Sequence, residues 1–154
     1  MTKTDSDELT ATQLTEFAPY LMNRIVHRYN QTAQVAMSER GITTPKMRVL
    51  AALASQGDLT VNELTVFAVS EQSTMSRTLD QMEKSGLVVR KTGDQDSRVR
   101  HVSITESGLA LYRSIWPDML KAEAELFAGL DKKKKTAFLN TLNQILLNIR
   151  VNKF

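Results

Sequence analysis

The stretch Ser70-Glu71-Gln72-Ser73-Thr74-Met75-Ser76-Arg77-Thr78-Leu79-Asp80-Gln81-Met82-Glu83-Lys84-Ser85-Gly86-Leu87-Val88 reads as one capped helix over about 71–85, stopped by Gly86. Its N-terminal half is dense in short donors and acceptors, Gln72, Ser73, Thr74 and Ser76, followed by Arg77. Such a set suits base edges and phosphates approached by a helix N-terminus. Behind it Met75, Leu79 and Met82 recur at helical spacing, a stripe able to hold the helix on a core. The plainer reading of the polar half is a solvated surface in which Arg77 pairs with Asp80 or Glu83.

On its C-terminal side, 87–92 and 99–104 read as two strands around the polar loop Gly93-Asp94-Gln95-Asp96-Ser97-Arg98, a β-hairpin with a long tip. Extended tips of this kind often carry function. Upstream, Thr44 is expected to cap a helix with Pro45 at its first position, Met47, Leu50, Leu53 and Ala54 facing inward and Gly57 ending it. After the Asp58-Leu59-Thr60 connection, Thr60 and Glu63 form a capping box that opens a short helix to about Ala68. Three helices followed by a hairpin, within 45–104, is the order of a winged helix-turn-helix.

Long helices flank this unit. Leu21, Met22, Ile25, Val26, Tyr29 and Ala33 mark one face of a helix over about 19–40, entered at Pro19 and stopped by Gly41, with a short helical piece within 9–17 before it, opened by a Thr10–Gln13 box. Thr105 caps a helix carrying Leu109, Leu111, Tyr112, Ile115, Met119, Leu120, Ala124 and Phe127, with Pro117 expected to bend or interrupt it. Asp131 caps a last helix striped by Phe138, Leu142, Ile145, Leu146 and Ile149. These flanks carry more apolar face than one small winged domain covers, so mutual burial in a homodimer is expected. The fold class expected is mainly α with a small two-stranded hairpin. Residues 1–42 form an N-terminal dimerisation region, 43–104 the winged unit and 105–154 C-terminal dimerisation helices, all within one compact subunit.

The composition narrows the function classes. With 154 residues, 42% of them hydrophobic, the chain can build one core. Its net charge of +3 fits nucleic-acid binding without requiring it. Lys3 stands against Asp5, Asp7, Glu8 and Glu16 in the first twenty residues, so the body is more basic than the total suggests. That acidic start has no apolar h-region, and no run reaches the length of a membrane span, so a cytoplasmic protein without membrane contact is expected. There is no Cys, and only His27 and His101 among the histidines, which leaves no dedicated metal site, thiol chemistry or cofactor to expect. No glycine-rich phosphate loop, nucleophile motif or carboxylate cluster suggests an enzyme.

Taken in order, the motifs resemble those of the multiple antibiotic resistance regulator (MarR) family of bacterial transcription factors over nearly the whole chain. They are Gly41-Ile42-Thr43-Thr44-Pro45, Glu63-Leu64, Ser73-Thr74-Met75-Ser76-Arg77 with Leu79, Met82-Glu83 and Gly86-Leu87-Val88. Asp94-Gln95-Asp96-Ser97-Arg98 and Ile104-Thr105-Glu106-Ser107-Gly108 follow. The chain departs from the family pattern at Ala68-Val69-Ser70, where leucine, glycine and leucine are common, and at Gln95, where proline is frequent.

The resemblance implies that the helix over 71–85 enters a major groove and that Arg98 enters a minor groove, where narrow A·T-rich tracts concentrate negative potential. Gln72, Ser73, Thr74, Ser76 and Arg77 would then read or grip DNA, with Asp96 orienting the loop or Arg98. Arg90, Lys91 and Arg100 on the strands are expected phosphate contacts. With two such domains related by a two-fold axis in a homodimer, the expected partner is double-stranded, pseudo-palindromic DNA whose half-sites lie about one helical turn apart. A small aromatic acid or phenol is implied as an effector between the dimer helices and the winged unit, and His27, Tyr29, Met47 and Trp116 are the residues that could line its site. Aromatic and Met residues on helices more commonly serve a core. The run Lys132 to Lys135 reads as solvation of a first helical turn more readily than as an anion patch, although cations there oppose the helix dipole. The competing class is a winged-helix protein–protein adaptor, which would carry apolar residues where this chain has Arg77 and Arg98.

Overall fold

The computed structural model describes residues 11–92 and 100–152. In chain order it contains α1 (Ala11–Glu16), α2 (Ala18–Glu39), α3 (Thr44–Gln56), β1 (Leu59–Thr60), α4 (Val61–Phe67), α5 (Gln72–Lys84), β2 (Val88–Thr92), β3 (Arg100–Ile104), α6 (Glu106–Leu126) and α7 (Lys132–Ile149). The short helical piece before the first long helix is present as α1, while Thr10 of its expected capping box lies outside the described residues.

Glycine and capping residues punctuate the helices. At the end of α2, Gly41 turns left-handed at φ +66°. This lets the Gly41 N–H reach Ser38 O at 3.0 Å and the Ile42 N–H reach Met37 O at 3.1 Å, a double closure that satisfies orphan carbonyls. Ile42 is buried on the way out. The cap of α3 is Thr43, one residue earlier than expected: its backbone is extended and its carbonyl accepts from the Met47 N–H at 2.9 Å. Thr44 is therefore the first helical residue, and its hydroxyl donates to Gln34 Oε1 at 3.1 Å. The Thr60 box at the start of α4 forms in full. Glu63 N–H donates to Thr60 Oγ1 at 3.2 Å, and Thr60 N–H donates to Glu63 Oε2 at 2.7 Å.

The expected two-stranded hairpin gains a third strand. β2 and β3 pair antiparallel from Val88↔Ile104 to Thr92↔Arg100, and β1 adds to the other edge of β3 through Leu59↔Val102 and Thr60↔His101, giving the order β1-β3-β2. A two-residue strand has too few positions to show alternation in sequence.

One core joins these parts. Met47, Leu50 and Leu53 of α3 are buried as expected, together with Val49 and Ala52, whereas Ala54 is only partly buried. They meet Leu64 of α4, Met75, Leu79 and Met82 of α5, and Val88 and Val102 of the sheet. The same cluster takes in Ala33 and Met37 of α2 and Ile115 of α6. α6 begins at Thr105, whose hydroxyl accepts from Gly108 N–H at 3.0 Å and donates to Gly86 O at 2.6 Å. It then runs through Pro117 as one helix. Asp131 caps α7 by accepting from Lys134 N–H at 2.8 Å.

The turn between α4 and α5 is strained. Val69 has φ +51°, and around it the Val69 N–H bonds Val66 O while the Ser70 N–H bonds Thr65 O. That closure places Val69 where glycine is preferred, and a β-branched residue in the left-handed region costs on the order of 1–2 kcal/mol. Val69→Gly, which relieves the strain but gains freedom in the unfolded chain, is expected to stabilise by about 0.5–1 kcal/mol. Val69→Ala, which keeps a Cβ, should recover less; thermal denaturation of the two variants side by side checks this order.

Candidate nucleic-acid interface

α5 divides as its sequence pattern requires. Met75, Thr78, Leu79 and Met82 are buried, which leaves Gln72, Ser73, Thr74, Ser76 and Arg77 together on the exposed side. Its N-cap is Glu71, whose backbone is extended and which makes no side-chain capping bond. Among the described residues no ion pair engages Arg77; the two carboxylates considered for it, Asp80 and Glu83, go elsewhere.

They go to Arg90. From β2 its guanidinium meets Asp80 Oδ1 through one terminal nitrogen and donates from Nε to Glu83 Oε2 at 3.0 Å. The Arg90 backbone N–H donates to the other oxygen, Glu83 Oε1, at 3.0 Å. Hydrogen bonding from the Arg90 side chain holds the Asp80 carboxyl below the usual range, and the Arg90 backbone N–H does so first for Glu83. The same carboxylates raise the pKa of Arg90. Arg90 was expected to touch phosphate alongside Lys91 and Arg100, yet its side chain is only 18% exposed and faces inward onto α5. Lys91 and Arg100 are exposed and, among the described residues, have no ion pair. All five side chains border an open polar cleft of about 330 Å³ between α5 and the strands. Asp96 and Arg98 lie outside the described residues.

The structure does not gather the four expected effector residues. Met47 is buried in the core, His27 is exposed, and Trp116 stands partly exposed against Tyr112, with ring centroids 5.4 Å apart. Tyr29 lines an apolar cleft of about 360 Å³ between α2, α6 and α7 that also includes Val26, Phe127, Phe138 and Leu142. Its hydroxyl donates to Met119 Sδ at 3.8 Å, and burial, then the charge of Glu123, raises its pKa. At the rim Lys135 pairs with Glu123 at 2.8 Å and lies over the Phe127 ring at 4.7 Å. The last residue of the lysine run is thus tied to α6. Sequence periodicity could place an apolar residue on a helix, but could not say which apolar faces would meet in a cleft.

α7 itself buries none of its residues, and Leu146 and Ile149 remain 58% and 70% exposed. Leu21, Ile25 and Val26 of α2 are exposed as well. Among the described residues no helix is long and apolar enough to cross a membrane, and no group of three or more His, Asp or Glu could hold a metal ion.

Comparison with known proteins places this geometry. A model of the MarR family matches residues 40–99. A MarR-family transcriptional regulator from Silicibacter pomeroyi is 42% identical, with a TM-score of 0.86, over 98% of this chain and 100% of that one. The HTH-type transcriptional repressor IacR of Pseudomonas putida is 29% identical over 131 residues, 85% of this chain and 76% of that protein. A structure of the S. aureus MepR–DNA complex, 24% identical over 86% of this chain and 98% of that one, has the same fold with a TM-score of 0.74.

Proposed function

The chain belongs to the MarR family of transcriptional regulators, whose winged helix binds DNA, and from that premise we propose that it is a homodimeric, sequence-specific repressor released by a small effector. The observation that carries the DNA reading is α5: Met75, Leu79 and Met82 anchor it in the core while Gln72, Ser73, Thr74, Ser76 and Arg77, which has no ion pair among the described residues, stand exposed on the other side. Arg77 can take a guanine edge or a phosphate, the smaller polar residues fill the remaining base and phosphate contacts, and Lys91 and Arg100 grip the backbone. Asp96 and Arg98 complete the reading surface from the wing. The reading is in keeping with MepR, a protein of the same fold seen with DNA.

The exposed apolar faces of α2 and α7 support the homodimer, because water-exposed stripes of this kind are covered in a stable regulator. Two winged units about a two-fold axis suit a pseudo-palindrome with half-sites about one helical turn apart. The effector site is proposed at the apolar cleft beside Tyr29, whose lining favours a largely uncharged aromatic molecule, the phenolic end of the range the sequence suggested. Such a ligand releases DNA only by binding better to a dimer with mis-spaced heads.

Binding to the DNA upstream of the chain's own gene, followed across a salt series, tests the reading. Affinity should fall steeply with salt, and Arg77→Ala should weaken the cognate duplex by about 1–3 kcal/mol while sparing non-specific binding. Salt-independent or absent binding, unchanged by Arg77→Ala and Arg98→Ala, rules it out.

A further inference from the structure

Three cations lie on the strands beside α5, and the structure sorts them into two kinds. Lys91 and Arg100 are exposed and have no ion pair among the described residues. Arg90 is mostly covered, and its side chain and backbone N–H together reach two carboxylates three residues apart on one face of α5. We propose that Arg90 is a positioning residue: by clamping Asp80 and Glu83 it fixes the angle between the recognition helix and the paired strands β2 and β3 and screens two carboxylates that would otherwise repel DNA. The inference rests on the DNA-binding reading above.

The geometry is well suited to that task. A single exposed ion pair constrains little, because two long side chains must be ordered for a small Coulomb gain in water. Here one planar guanidinium spans two acceptors, and a backbone N–H, which cannot rotate away, holds the second oxygen of Glu83. Moving β2 along or away from α5 would break all three contacts at once. The strand carrying Arg90 pairs with β3 from Val88↔Ile104 to Thr92↔Arg100, so the clamp sets how the two strands, with Lys91 and Arg100, lie against α5. An arginine whose charge is already matched by two carboxylates has little left to displace counterions from DNA. A phosphate-binding arginine does the opposite, and the salt dependence of binding separates the two roles.

The test uses a duplex selected from a random-sequence pool by the wild-type protein, with an unrelated duplex of equal length as the non-specific reference. Arg90→Gln should lower the ratio of specific to non-specific affinity by about tenfold or more and leave the slope of log K against log salt close to wild type, whereas Lys91→Ala should reduce the slope by about one. Asp80→Asn combined with Glu83→Gln opens the clamp from the helix side while keeping Arg90. It should also lower the specificity ratio, although it makes the surface more positive and tightens non-specific binding. This second variant carries the test alone if Arg90→Gln does not fold. A slope reduced by Arg90→Gln as it is by Lys91→Ala, an unchanged ratio, or tighter specific binding by the double variant overturns the proposal. If the wild-type protein selects no duplex, the DNA-binding reading itself falls, and the clamp proposal falls with it.

Discussion

Gly108→Ala is expected to destabilise the protein more than any other small substitution suggested by its structure. In an isolated helix this exchange stabilises by about 1 kcal/mol, because alanine loses less backbone entropy on folding. Here a Cβ on residue 108 would stand 2.1 Å from the Leu87 carbonyl oxygen and 3.0 Å from Ile104 Cγ1. The obstruction is backbone, which cannot rotate aside, and Leu87 O is the acceptor for Thr105 N–H at 3.1 Å. Making room means prising the start of α6 off the end of the hairpin, at the point where Thr105 also bonds Gly86 and Gly108. A loss of on the order of 3 kcal/mol follows, at the upper end for overpacking. For a chain of this size that lowers the melting temperature by roughly 6–12 °C. Circular dichroism melts decide the sign: a variant as stable as wild type, or more so, would mean that the helix does not approach the strand this closely.

Leu146→Glu should have the second large effect, at a distance from the DNA. Leu146 is 58% exposed in the subunit, so a carboxylate there leaves the fold of one chain intact. In the proposed dimer it buries a charge in an apolar seam. Light scattering on a size-exclusion column should show a monomer, while the melting profile of the subunit still shows a cooperative transition. Affinity for a palindromic duplex should fall by about 10²- to 10⁴-fold, since each winged unit then binds without the effective concentration its partner supplied. A variant that stays dimeric would remove α7 from the seam.

The sequence disclosed those parts of the fold whose causes are local. Gly41, Gly57 and Gly86 mark stops, the Thr60–Glu63 box and Thr105 and Asp131 mark starts, and the Met75, Leu79 and Met82 stripe orients α5. Each of these depends on residues within about one turn of one another. What escaped depends on partners far along the chain or across the fold. β1 exists only because β3 offers it an edge. Arg90 could be recognised as a basic strand residue, but the carboxylates that claim it lie seven and ten positions back, on another element. The signal for that clamp in the sequence is the pair Asp80 and Glu83, two carboxylates on one helix face that call for a cation opposite them. The dispersal of the effector candidates within one subunit has a related reason. Met47, Tyr29 and Trp116 are all suitable linings by type, and only tertiary packing separates a core side chain from a stacked one and from one beside a cleft.

The shared core has a mechanical consequence. Met37 of α2 and Ile115 of α6 are buried in the same cluster as Met75 and Leu79 of α5, so the reading head has no joint at which it could swivel freely on its arms. Close-packed interiors shift between discrete arrangements and do not bend smoothly. In the proposed dimer each subunit therefore behaves as a lever, with its fulcrum in the seam between two copies and its load at α5. Tyr29 packs against that same core, so an effector at the proposed cleft would act on α5 through it. Adapting such a protein to operators of different spacing calls for altering the fulcrum, through the apolar residues of α2 and α7, and leaves the alphabet written on α5 unchanged.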